Sequence, residues 1–72
     1  MIRIKNLRLL FNFTQKELAD KLNIRQNTYC QYENGQRQPS IEILIKLSEI
    51  FDTSIDYLVG ITDEEQPYPK KN

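Results

Sequence analysis

The sequence predicts a compact all-α domain of five short helices. Three observations support this fold class. Apolar residues recur at three- and four-residue steps, as they do on one face of a helix. Residues that cap helix N-termini precede these apolar stretches, and Asn or Gly residues follow them. With 72 residues, the chain is long enough for one domain only.

The first predicted helix is the most apolar part of the N-terminal region. Asn12 is predicted to interrupt it before Phe13. Leu9 adds to its apolar face, so the helix carries more apolar residues than one core-facing stripe can bury. The predicted face consists of Ile4, Leu7, Leu10 and Phe11.

The second predicted helix has a capping-box spacing at its start. The Thr14 hydroxyl can accept a hydrogen bond from the backbone N–H of Glu17, whose carboxylate can reach back to Thr14. Asn23 ends the helix, because Asn adopts the left-handed conformation at low steric cost. The apolar stripe consists of Leu18, Ala19 and Leu22.

The third helix is predicted to leave the turn at Asn23 at an angle, so that the two helices form a helix-turn-helix. It begins at about Arg25 or Gln26 and ends at Glu33, and its buried side consists of Tyr29 and Tyr32.

The last two predicted helices both begin with a serine cap. Pro39-Ser40 opens the fourth helix, and Glu42 lies in its first turn, where the helix dipole favours an anion. Ser54 caps the fifth helix, which Gly60 ends. The fourth helix is predicted to bury Ile41, Leu44, Ile45, Leu47, Ser48 and Phe51.

Residues 1–60 are therefore predicted to form the domain, and residues 61–72 a flexible C-terminal tail. The tail contains two prolines, mixed charge and few apolar residues. Such a segment cannot offset the entropy of ordering by burial.

The charges are separated along the chain, although the formal net charge is zero. Residues 1–38 have a net charge of +4 and residues 39–72 have a net charge of −4. This polarity suits a protein that presents one end to phosphate groups, although chance segregation in a short chain is the alternative.

Composition argues against several classes of protein. A single cysteine, Cys30, cannot form an internal disulfide, which favours a reducing cytoplasm. We expect no membrane span and no exported protein, because the chain has neither a long apolar run nor a signal peptide. The chain has no histidine, no Gly-rich phosphate loop and no metal-ligand cluster, so we expect no enzyme, cofactor or metal.

The exposed side of the third helix carries three amide side chains, on Gln26, Asn27 and Gln31. An amide presents a donor and an acceptor in one plane, and it can pair with the N6 and N7 edge of adenine in the major groove. The alternative is an ordinary solvent-facing polar side of a helix.

This pattern resembles the phage repressor and Cro-like helix-turn-helix family, also described as the xenobiotic-response-element type. The resemblance covers residues 2–60 and implies a lambda-repressor-like DNA-binding domain. It further implies a small transcriptional repressor that binds a double-stranded DNA operator, with the recognition helix at about residues 25–33 in the major groove. The matching residues are Leu7-Arg8, Thr14-Gln15, Glu17-Leu18-Ala19, Leu22, Ile24, Thr28, Tyr32-Glu33-Asn34-Gly35, Arg37, Pro39-Ser40, Ser54-Ile55-Asp56-Tyr57-Leu58 and Gly60.

The resemblance assigns base contacts to Gln26, Asn27 and Gln31 and a structural ion pair to Arg8 and Glu33. It also implies that Gln15 holds a phosphate, in the first turn of a helix whose dipole favours an anion. Further phosphate contacts are expected from residues on the recognition helix, at its start and in the loop after it. These residues are Arg25, Thr28, Asn34 and Arg37, of which Thr28 can alternatively touch a thymine methyl.

Three positions depart from the family pattern. Arg25 stands where Ser or Thr commonly caps the recognition helix, so a cap is lost while a cation is gained. Tyr29 replaces a usual Ile or Val and must either enlarge the core or send its hydroxyl to a polar partner. Asn23 replaces a frequent glycine. Cys30 lies next to the DNA-facing side, and a redox role for it is an open alternative.

The surplus apolar residues predict a homodimer on two half-sites about 34 Å apart. The alternative is that they thicken a small core. Two other functional classes stay open: an antitoxin or controller-type regulator that also binds a partner protein, and an interaction module that has lost DNA binding. The surplus residues are Leu9, Leu10, Phe11, Ile43 and Ile50.

Overall fold

The computed structural model describes residues 3–60, and this part of the chain contains five α-helices and no strand. The predicted all-α fold with five helices is confirmed. The predicted tail at residues 61–72 lies outside the described residues. The helices are α1 (Ile4–Leu10), α2 (Gln15–Leu22), α3 (Gln26–Glu33), α4 (Ile41–Ile50) and α5 (Ile55–Leu58).

Side-chain caps define the starts of three helices, as predicted. Thr14 and Glu17 form both hydrogen bonds of the capping box at α2. The Ser40 hydroxyl caps α4 by accepting a hydrogen bond from a backbone N–H three residues further on, at 3.2 Å, and Ser54 caps α5 in the same way at 3.0 Å. Arg25 precedes α3 without a side-chain cap. The start of α3 is thus determined by the turn before it.

Among residues 3–60, three residues other than glycine adopt left-handed backbone conformations, and each follows a helix. These are Asn12 (φ 64°), Asn23 (φ 58°) and Asp52 (φ 50°). Asn and Asp tolerate this region better than other residues with a side chain, so the chain reverses direction within a few residues. The helices can therefore be short and still pack together.

The core is built from all five helices. Phe11, Phe13 and Phe51 form an aromatic contact beside it, in which the rings of Phe11 and Phe51 are 5.0 Å apart and nearly perpendicular. The buried hydrophobic residues are Ile4, Leu7, Leu18, Ala19, Leu22, Tyr29, Tyr32, Ile43, Leu47, Phe51 and Leu58.

The buried face predicted for α4 is only partly correct. Leu47 and Phe51 are buried as predicted, and Leu44 and Ser48 are half-buried. Ile41 and Ile45 are 64% and 44% exposed, whereas Ile43, which was predicted to be surplus, is buried together with Leu47 and Phe51. Six of the ten α4 residues are apolar, so periodicity could not indicate which side faces the core. The i, i+4, i+8 row beginning at residue 43 packs inward instead.

The apolar face predicted for α1 is only partly correct. Ile4 and Leu7 are buried, but Leu10 is 74% exposed and Phe11 is 44% exposed. Helix α1 ends at residue 10, and in its last turn Leu7 and Arg8 are buried whereas Leu10 is not. Among residues 3–60, no helix has the length and apolar character required to cross a membrane.

Candidate nucleic-acid interface

The turn between α2 and α3 spans residues 23–25 and is held by backbone hydrogen bonds. The N–H of Asn23 donates to the carbonyl of Asp20 at 3.1 Å, and the N–H of Ile24 donates to that of Ala19 at 3.0 Å. Arg25 is extended, and α3 starts immediately afterwards. Because Ile24 also packs against the core, the turn sets where α3 begins and which side of it faces outward.

Helix α3 buries its two tyrosines and presents its amides. Tyr29 is 0% exposed and Tyr32 is 7% exposed, whereas Gln26 and Asn27 are exposed and Gln31 is half-buried. Asn27 and Gln31 are four residues apart and lie on the same side of the helix. An eight-residue helix is about 12 Å long, which is comparable with the width of the major groove. The outward side of α3 therefore has a size and chemistry that suit base edges.

Backbone hydrogen bonds hold the loop after α3 against the end of that helix. The carbonyl of Gln31 accepts hydrogen bonds from the N–H of Gln36 at 2.9 Å and of Arg37 at 3.3 Å. Gly35 has a φ of 75°, a conformation in which a side chain would be strained. The loop consequently holds the exposed side chains of Arg37 and Asn34 close to the C-terminal end of α3.

The start of α2 offers a second set of hydrogen-bond donors. The capping box occupies the N–H groups of Thr14 and Glu17, while those of Gln15 and Lys16 have no partner among the described residues. Gln15 and Lys16 both line a shallow groove of about 450 Å³, the α2 groove. Gln26 also lines it, so this anion-favouring helix end adjoins the amide-bearing side of α3. The α2 groove is lined by Arg8, Leu9, Asn12, Phe13, Thr14, Gln15, Lys16 and Gln26.

Lys16 was not among the predicted site residues. Its amine forms an exposed ion pair with Asp20 at 3.2 Å, and its position beside Gln15 in the first turn of α2 was the available signal. The helix dipole disfavours a cation at a helix N-terminus, so helix electrostatics gave no reason to expect a lysine at this position.

A buried polar cluster joins α1, α2 and α3. The Arg8 Nε donates to Glu33 Oε2 at 2.7 Å, and its Nη1 donates to the carbonyl of Phe13 at 3.0 Å. Gln15 Nε2 donates to Glu33 Oε1 at 3.0 Å, and the Tyr29 hydroxyl donates to Glu33 Oε2. The side chains of Arg8 and Glu33 are only 10% and 3% exposed. The cluster, defined as Arg8, Gln15, Tyr29 and Glu33, therefore holds α3 against the two helices before it.

The hydrogen bonds of this cluster keep the ion pair charged. Burial by itself would raise the pKa of Glu33, but hydrogen bonds from Arg8, Tyr29 and Gln15 outweigh it and hold that pKa below its usual range. The hydrogen bond to Glu33 raises the pKa of Arg8. Burial, followed by the hydrogen bond to Glu33, raises the pKa of Tyr29, so its hydroxyl stays a donor. Tyr29 thus sends its hydroxyl to a polar partner, one of the two outcomes expected for a ring at this position.

Gln15 takes part in the cluster and also lines the α2 groove. Its Nε2 carries two hydrogens, of which the bond to Glu33 uses one. The cluster therefore orients the Gln15 amide, and a second hydrogen on it can still donate to an anion.

The remaining predicted residues lie around the outward side of α3. Arg25 is exposed at its start, and Thr28 is half-buried. Cys30 is half-buried, and its Sγ accepts a hydrogen bond from Asn34 Nδ2 at 3.5 Å. Within residues 3–60, no group of His, Cys, Asp and Glu side chains could hold a metal ion.

The sequence is similar to those of known transcriptional regulators and of a phage repressor. A helix-turn-helix family model matches residues 4–58. The HTH-type transcriptional regulator ImmR of Bacillus subtilis is 45% identical over 58 residues, covering 81% of this chain and 46% of that protein. The cryptic phage CTXphi transcriptional repressor RstR of Vibrio cholerae is 39% identical over 66 residues, covering 89% of this chain and 59% of that protein.

An uncharacterized HTH-type transcriptional regulator of Archaeoglobus fulgidus is 36% identical over 69 residues, which is 96% of each chain. Several other relatives are longer, and the chain spans 46–59% of the length of the Bacillus and Vibrio regulators with which it aligns. No solved structure matches the chain significantly.

Proposed function

The chain belongs to the phage repressor and Cro-like helix-turn-helix family, and on this basis we propose that it binds double-stranded DNA sequence-specifically and represses transcription in the cytoplasm. The observation that carries the proposal is the outward side of α3, where amides lie between the start of α2 and the loop that holds Arg37. The proposed role is non-catalytic, because the family is one of transcriptional regulators and not of enzymes.

In the proposed complex, α3 lies in the major groove and reads base edges through Gln26, Asn27 and Gln31. Asn27 and Gln31 share one side of the helix, and Gln26 lies at its start beside the α2 groove. Amides at these positions can each form a bidentate contact with adenine.

Phosphate contacts would hold α3 in register on both sides of the groove. Gln15 would bind one strand through its oriented amide and the N–H groups at the start of α2. Asn34 and Arg37 would bind the other strand from the loop, while Arg25 and Thr28 would contact the backbone along the helix. The net charge of +4 on residues 1–38 supports contacts of this half of the chain with phosphate groups.

Binding to random-sequence duplex at a series of salt concentrations tests whether the chain binds DNA at all. We expect the logarithm of the association constant to fall linearly with the logarithm of salt, with a slope of about −0.9 per phosphate neutralised. Fluorescence anisotropy of a labelled duplex measures the slope. Absent binding, or binding that does not respond to salt, would favour an interaction module that has kept the fold and lost DNA affinity. Selection from a random duplex pool then identifies the operator.

We also propose that two copies bind two half-sites. In the part of the chain that the structure describes, five large apolar residues are exposed, and Leu10, at 74%, is the most exposed of them. A second copy that covers this surface would match a two-fold symmetric operator, with half-sites about 34 Å apart. The exposed residues are Leu9, Leu10, Phe11, Ile41 and Ile45.

Gel filtration at micromolar concentration is expected to give twice the monomer mass. Leu10→Ser removes an exposed apolar side chain that is not part of the core, and we expect this variant to shift toward monomer. An unchanged melting temperature for Leu10→Ser would show that the fold is retained. Monomer alone, both with and without operator, would contradict the dimer.

A further inference from the structure

A second groove, of about 400 Å³, lies at the C-terminal end of α3, where α1 and the loop after α3 meet. We call it the α1–loop groove. Its position is distinct from the α2 groove, because Gln26 lines that groove at the opposite end of α3. The residues that matter here are Lys5 and Asn6 from α1, Arg37 and Gln38 from the loop, and Tyr32 and Pro39 on the apolar wall.

The groove is electropositive. Arg3, Lys5 and Arg37 line it, and Glu33 is the acidic residue in its lining. Glu33 already accepts hydrogen bonds from Arg8, which neutralises its charge locally. Lys5 and Arg37 are exposed and form no ion pair among the described residues. The groove therefore favours an anion.

The walls of the groove match a sugar-phosphate chain better than an isolated ion. Amides of Asn6, Asn34 and Gln38 provide donors beside the cations, and Tyr32 and Pro39 offer an apolar surface. A sugar-phosphate chain presents charged oxygens to the amides and cations, and deoxyribose carbons to the apolar surface.

Helix α5 fixes one edge of this groove. The backbone N–H of Arg3 donates to the carbonyl of Leu58 at 2.8 Å, and its guanidinium lies 4.3 Å from the centre of the Tyr57 ring. The start of α1, including Lys5, is thereby held in a defined position relative to the loop after α3.

The location of the groove indicates DNA as the source of the phosphodiester. Asn34 and Arg37 line the groove and also belong to the loop that we propose contacts the backbone. Because α3 is about as long as the major groove is wide, its C-terminal end would lie over a flanking strand.

We propose that Lys5 and Asn6 bind a backbone phosphodiester in the α1–loop groove, so that the DNA footprint extends from the helix-turn-helix onto α1. This inference rests on the proposed DNA-binding function. It adds α1 residues that the predicted set of phosphate contacts did not contain.

The test compares the salt dependence of binding to the selected operator in the wild type, Lys5→Gln and Lys5→Arg. We expect Lys5→Gln to make the slope of log association constant against log salt less negative by about 0.9, the loss of one phosphate contact, and Lys5→Arg to retain the wild-type slope. Lys46→Gln is the matched control, since Lys46 is exposed on α4 and does not line the groove. The melting temperature should not change in any of these variants.

Ethylation interference identifies the phosphate that Lys5 contacts. We expect one ethylated phosphate to weaken binding of the wild type and to have no further effect on Lys5→Gln. If Lys5→Gln keeps the wild-type slope while Arg37→Gln reduces its magnitude, the role of α1 is wrong and the proposed function stands. If the wild type shows no salt-dependent DNA binding, both are wrong.

Discussion

Replacing Arg8 with alanine is expected to lower the free energy of unfolding by about 3–5 kcal/mol, because it leaves the buried Glu33 carboxylate without its cation. The truncation also removes the hydrogen bond to the carbonyl of Phe13. A domain of this size has only about 4–10 kcal/mol of stability, so the variant should lie close to unfolding at 25 °C. Urea denaturation followed by circular dichroism measures the change.

The chain offers its own control for this experiment. Lys16 and Asp20 form an ion pair whose side chains are 72% and 66% exposed. Lys16→Ala should change stability by about 0.5 kcal/mol or less, because water already solvates both charges. Equal effects of Arg8→Ala and Lys16→Ala would show that the Arg8 pair is not buried in solution.

The same pair predicts how stability depends on pH. Since the pKa of Glu33 is lower in the folded than in the unfolded chain, its contribution is fully present above the ordinary Glu pKa of about 4.3 and is lost as pH falls through the folded-state pKa. Arg8→Ala removes a cause of this lowering. The stability difference between wild type and Arg8→Ala should therefore shrink below about pH 4, and a difference that stays constant from pH 7 to pH 3 would contradict the assignment.

Replacing Gln26, Asn27 and Gln31 together with alanine is expected to reduce affinity for the selected operator at least about 100-fold. Each bidentate amide contact contributes about 1–3 kcal/mol of discrimination, and 1.4 kcal/mol corresponds to a factor of ten. Binding to random duplex and its salt slope should change little, because the phosphate contacts stay. Anisotropy titrations with both duplexes measure the ratio of the two affinities.

A triple variant on α4, with Glu42, Lys46 and Glu49 changed to alanine, serves as the matched control. These side chains are exposed, and none lines either groove. This variant should keep the operator preference. If the amide variant also keeps full, selective affinity for the operator, then the outward side of α3 does not read the bases.

Local sequence was sufficient to predict the helix-turn-helix. A cap depends on one side chain and the N–H group three residues away, and Thr14 with Glu17 forms the predicted box. The left-handed Asn23 likewise ends α2 for reasons within the turn. The tyrosines then determine which side of α3 is buried, because Tyr29 and Tyr32 lie on one side and the amides do not.

Periodicity predicted only part of the buried face of α4, namely Leu47 and Phe51, because that helix is apolar on several sides. Ile41 and Ile45 are as hydrophobic as Ile43, and only the positions of the neighbouring helices decide which of them the core accepts. On α1, the sequence predicted more apolar residues than the core can bury. Leu10 was also predicted on the core face, because periodicity does not distinguish it from the buried residues.

The proposed site residues likewise fall into two groups, those that the sequence predicted and those that only the packing of the helices revealed. The sequence by itself determined the amides of α3, the donors at the start of α2 and the separation of charge, because these depend on neighbours a few residues apart. Only the tertiary structure decided that Gln15 donates to the carboxylate of Glu33, and that Lys5 and Arg37 line the same groove. Gln15 and Glu33 are 18 positions apart, and Lys5 and Arg37 belong to α1 and to the loop after α3, so packing of the helices alone brings each pair together.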